Sequence, residues 1–308
     1  MSEPLVLTGL DGGNPLAFLA LLGVGLISRC FCCPDVQISW TRAEGGWRPR
    51  LHGFDGDEEA FLDRLYDAML STSPGPFEID KKLPFARDDL RAAMQQCRYD
   101  AGTESRRMAD ILAGFGTDAQ ADKKGMFVDT AFRMVRRGDS AGQGLPAYGL
   151  AIRKALTRDH VRTTLFSEWQ YEDEGFNLRW DPVEDQRYAL RWYDPSPQSN
   201  KRFGLRAVQG ANALALEGLG LLPVQPSSQG VATTGFSRKG KRREFFTWPI
   251  WEIPLSPDMM RSLLTIPELA AETPDRRSLG TRGVAEVYRS ERIAPNKYYK
   301  NFTPSRPA

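Results

Sequence analysis

The 308-residue chain contains two histidines, His52 and His160, and four cysteines, Cys30, Cys32, Cys33 and Cys97. With so few histidines, neither close in sequence to another candidate, no general-base arrangement can be read, although groups distant in sequence can meet in a fold. Cys30, Cys32 and Cys33 lack the C-x2-C spacing of zinc sites and stand far from both histidines. They are therefore read as free thiols at the end of an apolar helix, and no metal or other cofactor is expected. Charge of one sign is also lacking: 41 Lys and Arg face 39 Asp and Glu, a net +2, so any surface for a polyanion must be local. The start, MSEPLVLTGL, has no basic region of a signal peptide. The apolar run of residues 16–27 is broken by Gly23 and Gly25 and is too short to span a bilayer. A cytoplasmic protein with no membrane partner is expected.

What is present is an ordinary globular composition, 41% hydrophobic and 26% charged, and one stretch of unusual patterning, residues 231–254. Two β-branched and aromatic runs, residues 231–236 and 244–251, flank a polar tip at Gly240, which predicts a hairpin. The tip carries Arg238, Lys239, Lys241, Arg242 and Arg243 with no acid among them, and Phe245, Phe246, Trp248 and Trp251 follow. Crowded cations repel one another, and an anion relieves that repulsion; aromatic faces beside them suit the stacking of bases. The plainer reading is a solvated hairpin end with core aromatics.

In chain order, residues 5–10 read as a strand. Asn14 is an N-cap with Pro15 at the first helical position, and residues 16–28 form an apolar helix. Two short strands, 36–41 and 47–53, and an amphipathic helix, 57–70, complete a β-α-β-β-α order. Residues 88–98, 105–115, 128–137, 148–156 and 159–169 read as helices, and the glycine-rich loop 138–144 matches no phosphate-loop pattern. Residues 176–180 and 187–192 read as strands. Asn212-Ala213-Leu214-Ala215 then echoes Asn14-Pro15-Leu16-Ala17, and a hairpin, a helix from 257 and a strand at 284–289 follow. The fold class predicted is α+β, two ferredoxin-like (RRM-like) units with a helical insert: residues 1–75, 76–170 and 171–308. No strand carries the RNA-recognition pattern K/R-G-F/Y-G/A-F. In the last segment, Arg289, Arg292, Lys297 and Lys300 are expected beside the hairpin tip, continuing one cationic track; the alternative is a final strand with a disordered end.

Six strings together resemble a known family: Leu83-Pro84-Phe85-Ala86-Arg87-Asp88, Leu178-Arg179-Trp180-Asp181-Pro182, Arg187-Tyr188-Ala189-Leu190-Arg191-Trp192, Thr234-Gly235-Phe236, Thr247-Trp248-Pro249-Ile250-Trp251 and Arg261-Ser262-Leu263-Leu264. Their order is similar to that in proteins of type I-G (formerly I-U) CRISPR loci, in the group described as an extension of the CRISPR helicase-nuclease, and the likeness spans most of the chain. The resemblance implies a place in a CRISPR interference complex for antiviral defence, with guide RNA or target DNA and other effector subunits as partners. It brings no catalytic residue. Relatives often carry a histidine in the turn occupied here by Gly142-Gln143-Gly144, and its absence argues against an enzymatic role for that turn.

Two other functions stay open. Glu168, Glu172, Asp173, Glu174, Asp181, Glu184 and Asp185 are dense enough to suggest a metal-dependent nuclease, or a set of solvated turns. A protein-docking scaffold would use the same aromatic hairpin. A non-catalytic nucleic-acid-binding subunit is the reading the residues favour, with Arg238, Lys239, Lys241, Arg242, Arg243, Phe245, Arg289, Arg292, Lys297 and Lys300 as its contact residues.

Overall fold

Asn14 is extended, and its side-chain oxygen accepts from the backbone N–H groups of Leu16 at 2.8 Å and Ala17 at 3.3 Å. With Pro15 behind it, this cap starts the helix Pro15–Ile27, every residue of which is buried. A helix apolar all round needs partners on both sides. In the computed structural model, which describes residues 3–43, 45–100, 102–134, 144–184, 206–228, 230–240, 243–296 and 299–308, it has them. On one side the Phe18 ring lies 6.4 Å from Trp40, 5.9 Å from Trp248 and 6.2 Å from Trp251. On another lies a second apolar helix, Gln209–Gly218, so close that a Cβ on Gly23 would stand 1.9 Å from the Leu214 carbonyl oxygen. A Cβ on Gly218 would stand 2.2 Å from that of Leu19. The first helix continues as a π turn, Ser28–Cys32. Pro15–Cys32 is thereby long and apolar enough to cross a membrane by length and composition, and 78% of it is buried inside the fold.

The architecture is mixed α+β with several small antiparallel sheets. In the amino-terminal sheet, Gly46–His52 lies between Leu5–Val6 and Gln37–Ala43, with Leu51 opposite both Leu5 and Ile38. Helix Glu58–Ser71 follows, capped by the Asp57 side chain, and buries Phe61, Leu62, Leu65 and Met69. The larger sheet runs Phe236–Lys239, Arg243–Trp251, Val284–Asn296, Tyr299–Phe302, with Arg306–Pro307 also paired to Val284–Asn296. The two sheets are joined where Ile38 and Leu255 exchange backbone hydrogen bonds of 2.9 Å. There the Trp251 indole donates to the Ile38 carbonyl at 2.7 Å and that of Trp248 to Gly12 at 2.8 Å. Burial leaves each indole N–H needing an acceptor, and these carbonyls supply it.

The hairpin expected over residues 231–251 forms from Phe236 onward, Phe236 opposite Phe246 and Lys239 opposite Arg243. Its expected first arm does not belong to it: Gly230–Thr233 pairs with Val224–Ser227, and the chain turns at Gly235, whose φ is +80°. Helices Arg87–Asp100, Thr103–Phe115, Leu145–Ala155 and Arg158–Phe166 match the expected middle segment. The helix expected at 128–137 starts instead as a strand, Phe127–Asp129, paired with Gly116–Ala121, because the bare face of Gly116 admits the Phe127 ring against the backbone. The remainder of that span from residue 135, and the strand expected at 187–192, lie outside the described residues.

Residues 176–180 are an irregular buried segment, with Arg179 at φ +60°, rather than a strand. The Leu178 N–H bonds to the Asn212 side chain at 2.9 Å and the Trp180 indole to the Phe132 carbonyl at 2.9 Å, so side-chain partners replace a neighbouring strand. The echo of Asn14 by Asn212 is one of letters: the second helix starts earlier, at Gln209, and Asn212 is buried within its first turn. This helix packs on the first apolar helix and on Arg158–Phe166 and Leu145–Ala155. Its carboxylate Glu217, buried, is held by Arg107 through bonds of 2.7 Å and by Arg153 at 2.7 Å.

Gly23→Ala should cost about 3 kcal/mol, because the methyl meets a backbone carbonyl that cannot rotate away. Gly280→Ala, with nothing within 4 Å of its new methyl, should stay within about 0.5 kcal/mol. Urea unfolding of the two variants beside the parent checks this; equal stabilities would refute the close-contact account.

Candidate functional site

Side chains alternate across the hairpin sheet, which sorts the expected contact residues onto two faces. One face carries Phe236, Arg238, Glu244, Phe246 and Trp248, in register with Tyr288, Ser290, Arg292 and Phe302. Its aromatics form a ladder, Phe236 to Phe246 at 5.5 Å and Phe246 to Trp248 at 5.0 Å, with Phe132 edge-on to Phe236 at 4.9 Å. Phe246, Trp248 and Trp251 are wholly buried, so these rings are core, and the expected base-stacking strand is absent. Phe245, on the opposite face, is buried too, with the guanidinium groups of Arg243 and Arg289 lying 4.9 Å and 5.9 Å from its ring centre.

The cations of that opposite face are occupied. Lys239 pairs with Glu272, and Arg243 grips Glu291 with bonds of 2.9 Å and 2.6 Å. Arg289 is not on a surface track: it is buried, donating to Thr247 Oγ1 at 2.9 Å and to the carbonyls of Glu272 at 2.8 Å and Ala271 at 2.6 Å. Burial pushes its pKa down, and Arg306 adds to that. The chain end of helix Pro267–Ala270 exposes carbonyls that need donors, which accounts for the position of Arg289. Lys241, Arg242 and Lys297 lie outside the described residues.

On the first face, Arg238, Arg292 and Lys300 come together beside a cleft of about 490 Å³. Its far wall is built by Val128, Asp129 and Arg133 on one side and Ser227, Ser228 and Val231 on the other. Glu244 accepts from Arg238 Nε at 2.9 Å and from Arg292 Nε at 2.7 Å, and Asp129 pairs with Arg133. Four cations and two carboxylates thus line one space, leaving two positive charges in excess. Lys300 shows the strain electrostatically: burial first, then the neighbouring Arg292 and Arg133, push its pKa below the usual lysine value, against a partial pull from Glu244 and Asp129. Glu244 is held below the usual carboxylate range by Arg292 and Arg238, in spite of its burial. An anion entering the cleft would complete these groups.

Arg133 and Asp129 escape sequence reasoning because they sit in the span read as a helix, and Glu272 and Glu291 because their partners Lys239 and Arg243 are far along the chain. The one available signal was the alternation of residues 236, 238, 244 and 246, which places Arg238 and Glu244 on one face. Three carboxylates of the acidic stretch, Asp173, Asp181 and Glu184, are committed to bonds within the fold, and Asp185 lies outside the described residues. Asp181, wholly buried, accepts from Asn14 Nδ2 at 3.0 Å, the Tyr171 hydroxyl at 3.0 Å and the Val183 N–H at 2.7 Å. Burial raises its pKa in the face of these donors. Glu184 accepts from Asn212 Nδ2 at 3.1 Å and the Val208 N–H at 2.9 Å, and Asp173 from the Gln209 N–H at 2.8 Å.

Among the described residues no group of three or more His, Cys, Asp or Glu is placed to hold a metal ion. The cysteines are free thiols, that of Cys32 pushed up to about 11 chiefly by burial. The loop of residues 138–144 does contain G-x-S-x-G spacing, Gly138-Asp139-Ser140-Ala141-Gly142; a serine elbow is a strand-to-helix turn, and these five residues lie outside the described ones.

Glu244→Gln removes one of the two carboxylates while keeping its size, so the cleft's excess rises by one charge. Affinity for tripolyphosphate at low salt should increase about fivefold, roughly 1 kcal/mol. Calorimetric titration reads this, and an unchanged or weaker affinity would show that the cleft's charge does not govern binding.

A scan against protein-family models finds no match, and a search of curated proteins finds none either.

Proposed function

We propose that the chain is a non-catalytic nucleic-acid-binding subunit or accessory of a type I CRISPR interference complex, working in the cytoplasm, and that it meets guide RNA or target DNA at the cleft beside the hairpin. The observation that carries the reading is the convergence of Arg238, Arg292 and Lys300, from three strands, with Arg133 from a fourth segment. Phosphate contacts draw on clustered cations, and a lysine whose charge is already disfavoured gains most from an anion.

The six strings quoted above support the CRISPR part of the proposal, and the antiparallel order of Leu5–Val6, Gly46–His52 and Gln37–Ala43 around a crossover helix supports a ferredoxin-like reading of residues 1–75. For residues 171–308 the same reading rests on the hairpin, the helix Pro257–Leu264 and the strand Val284–Asn296 following in that sequence order. The buried, hydrogen-bonded state of Asp181 and Glu184 favours binding over metal-assisted cutting.

Binding of a single-stranded oligonucleotide across a salt series tests the reading. Two uncompensated charges should give a log-log slope near −1.4, and Lys300→Ala should make it shallower by about 0.7. Arg243→Ala, which removes a cation paired to Glu291 on the other face, should leave the slope unchanged. No measurable binding, or a slope indifferent to Lys300, overturns the proposal. Magnesium-dependent cutting by the purified chain that Glu172→Ala abolishes overturns its non-catalytic part.

A further inference from the structure

Resting on the nucleic-acid reading, we propose that the cleft receives the phosphorylated end of a strand, a terminal phosphomonoester with its nucleotide, rather than the phosphodiesters of a strand passing through. Three features point there. The first is size. Grooves that track a strand engage roughly 4–16 nucleotides. This space, about 490 Å³, has the dimensions of a small-molecule pocket, bounded by two hairpins and the sheet.

The second is charge. The groups facing the cleft are Arg133 and Asp129 from one wall, Arg238 and Glu244 from the hairpin, Arg292 from the long strand and Lys300 from the strand after it. Their excess of two positive charges balances a phosphomonoester, about −1.5 to −2 at neutral pH. An internal phosphodiester carries a single charge and would leave half the excess in place.

The third is the arrangement of donors. Glu244 occupies Nε and Nη2 of Arg292, whose Nη1 donates to the Ala131 carbonyl, and one edge of Arg238, so Arg292 contributes charge while the open donors are those of Arg238 and Lys300. Arg238 remains 71% exposed along its side chain, and the ammonium of Lys300 has no ion-pair partner among the described residues. A terminal phosphate presents three free oxygens in different directions and suits such dispersed donors better than a diester with two. Phe236 supplies an apolar surface within the same lining, and Ser227 and Ser228 stand across from it.

The test compares one short oligonucleotide in three forms: 5′-phosphorylated, 3′-phosphorylated, and with hydroxyls at both ends, each measured by fluorescence anisotropy at fixed salt. One of the phosphorylated forms should bind about tenfold more tightly than the hydroxyl form. Lys300→Gln should bring it down to the hydroxyl level, and Lys300→Arg should restore most of the difference. Equal binding of all three forms would overturn the end-recognition inference while leaving nucleic-acid binding intact. Absence of binding by every form would overturn both. A nucleoside 5′-monophosphate that binds as tightly as the phosphorylated strand would show a mononucleotide pocket and overturn the strand-end assignment.

Discussion

The approach of two apolar helices through Gly23 and Gly218 is the contact from which the fold can be understood. Each glycine admits a backbone carbonyl of the other helix where any side chain would collide, so the two helices sit at a separation that only backbone atoms can share. That closeness turns the remaining faces of Pro15–Ile27 toward Phe246, Trp248, Trp251 and Trp40, and those rings close over Phe18. Two sheets from opposite ends of the chain are thereby held on one helix, and the exchange of hydrogen bonds between Ile38 and Leu255 joins their backbones. The second helix is fixed in turn by Glu217, whose buried charge needs both Arg107 and Arg153.

This packing has a consequence for function. Rings consumed by the core cannot stack bases, so the hairpin's usefulness to a ligand moves from its aromatics to its charges. Those charges are sorted by the pleat: Lys239, Arg243 and Arg289 face acids and carbonyls on one side, while Arg238 and Arg292 share Glu244 on the other. The second side opens on the cleft of about 490 Å³. A count of basic residues along the sequence overstates the available charge, because Glu244 and Glu291 on neighbouring strands and Glu272 beyond the sheet neutralise part of it.

Local chemistry made part of this legible. The Asn14 cap, Pro15, the amphipathic Glu58–Ser71 helix and the hairpin from Phe236 follow from residues within a few positions of one another, where propensity and turn chemistry act. Missed features depend on distant partners. Phe127–Asp129 is a strand because Gly116 leaves room for its ring, and residues 176–180 are irregular because Asn212 and Phe132 take their hydrogen bonds. Asn212 repeats the letter of Asn14 without its cap, since it lies inside a turn and answers Glu184. The same limit governs the site: Lys300 and Arg292 were visible as cations, but their meeting with Arg133 depends on a tertiary contact that no spacing encodes.

The central claim, that a strand is held at the cleft and not on the aromatic sheet, is tested most directly by photo-crosslinking. An oligonucleotide with a photoreactive base at its phosphorylated end would be irradiated with the full chain and the attached peptides identified by mass spectrometry. The account predicts attachment in peptides containing Phe236 or Lys300. Attachment confined to a separate cleft, around Arg42, Trp47 and Tyr288, would contradict it.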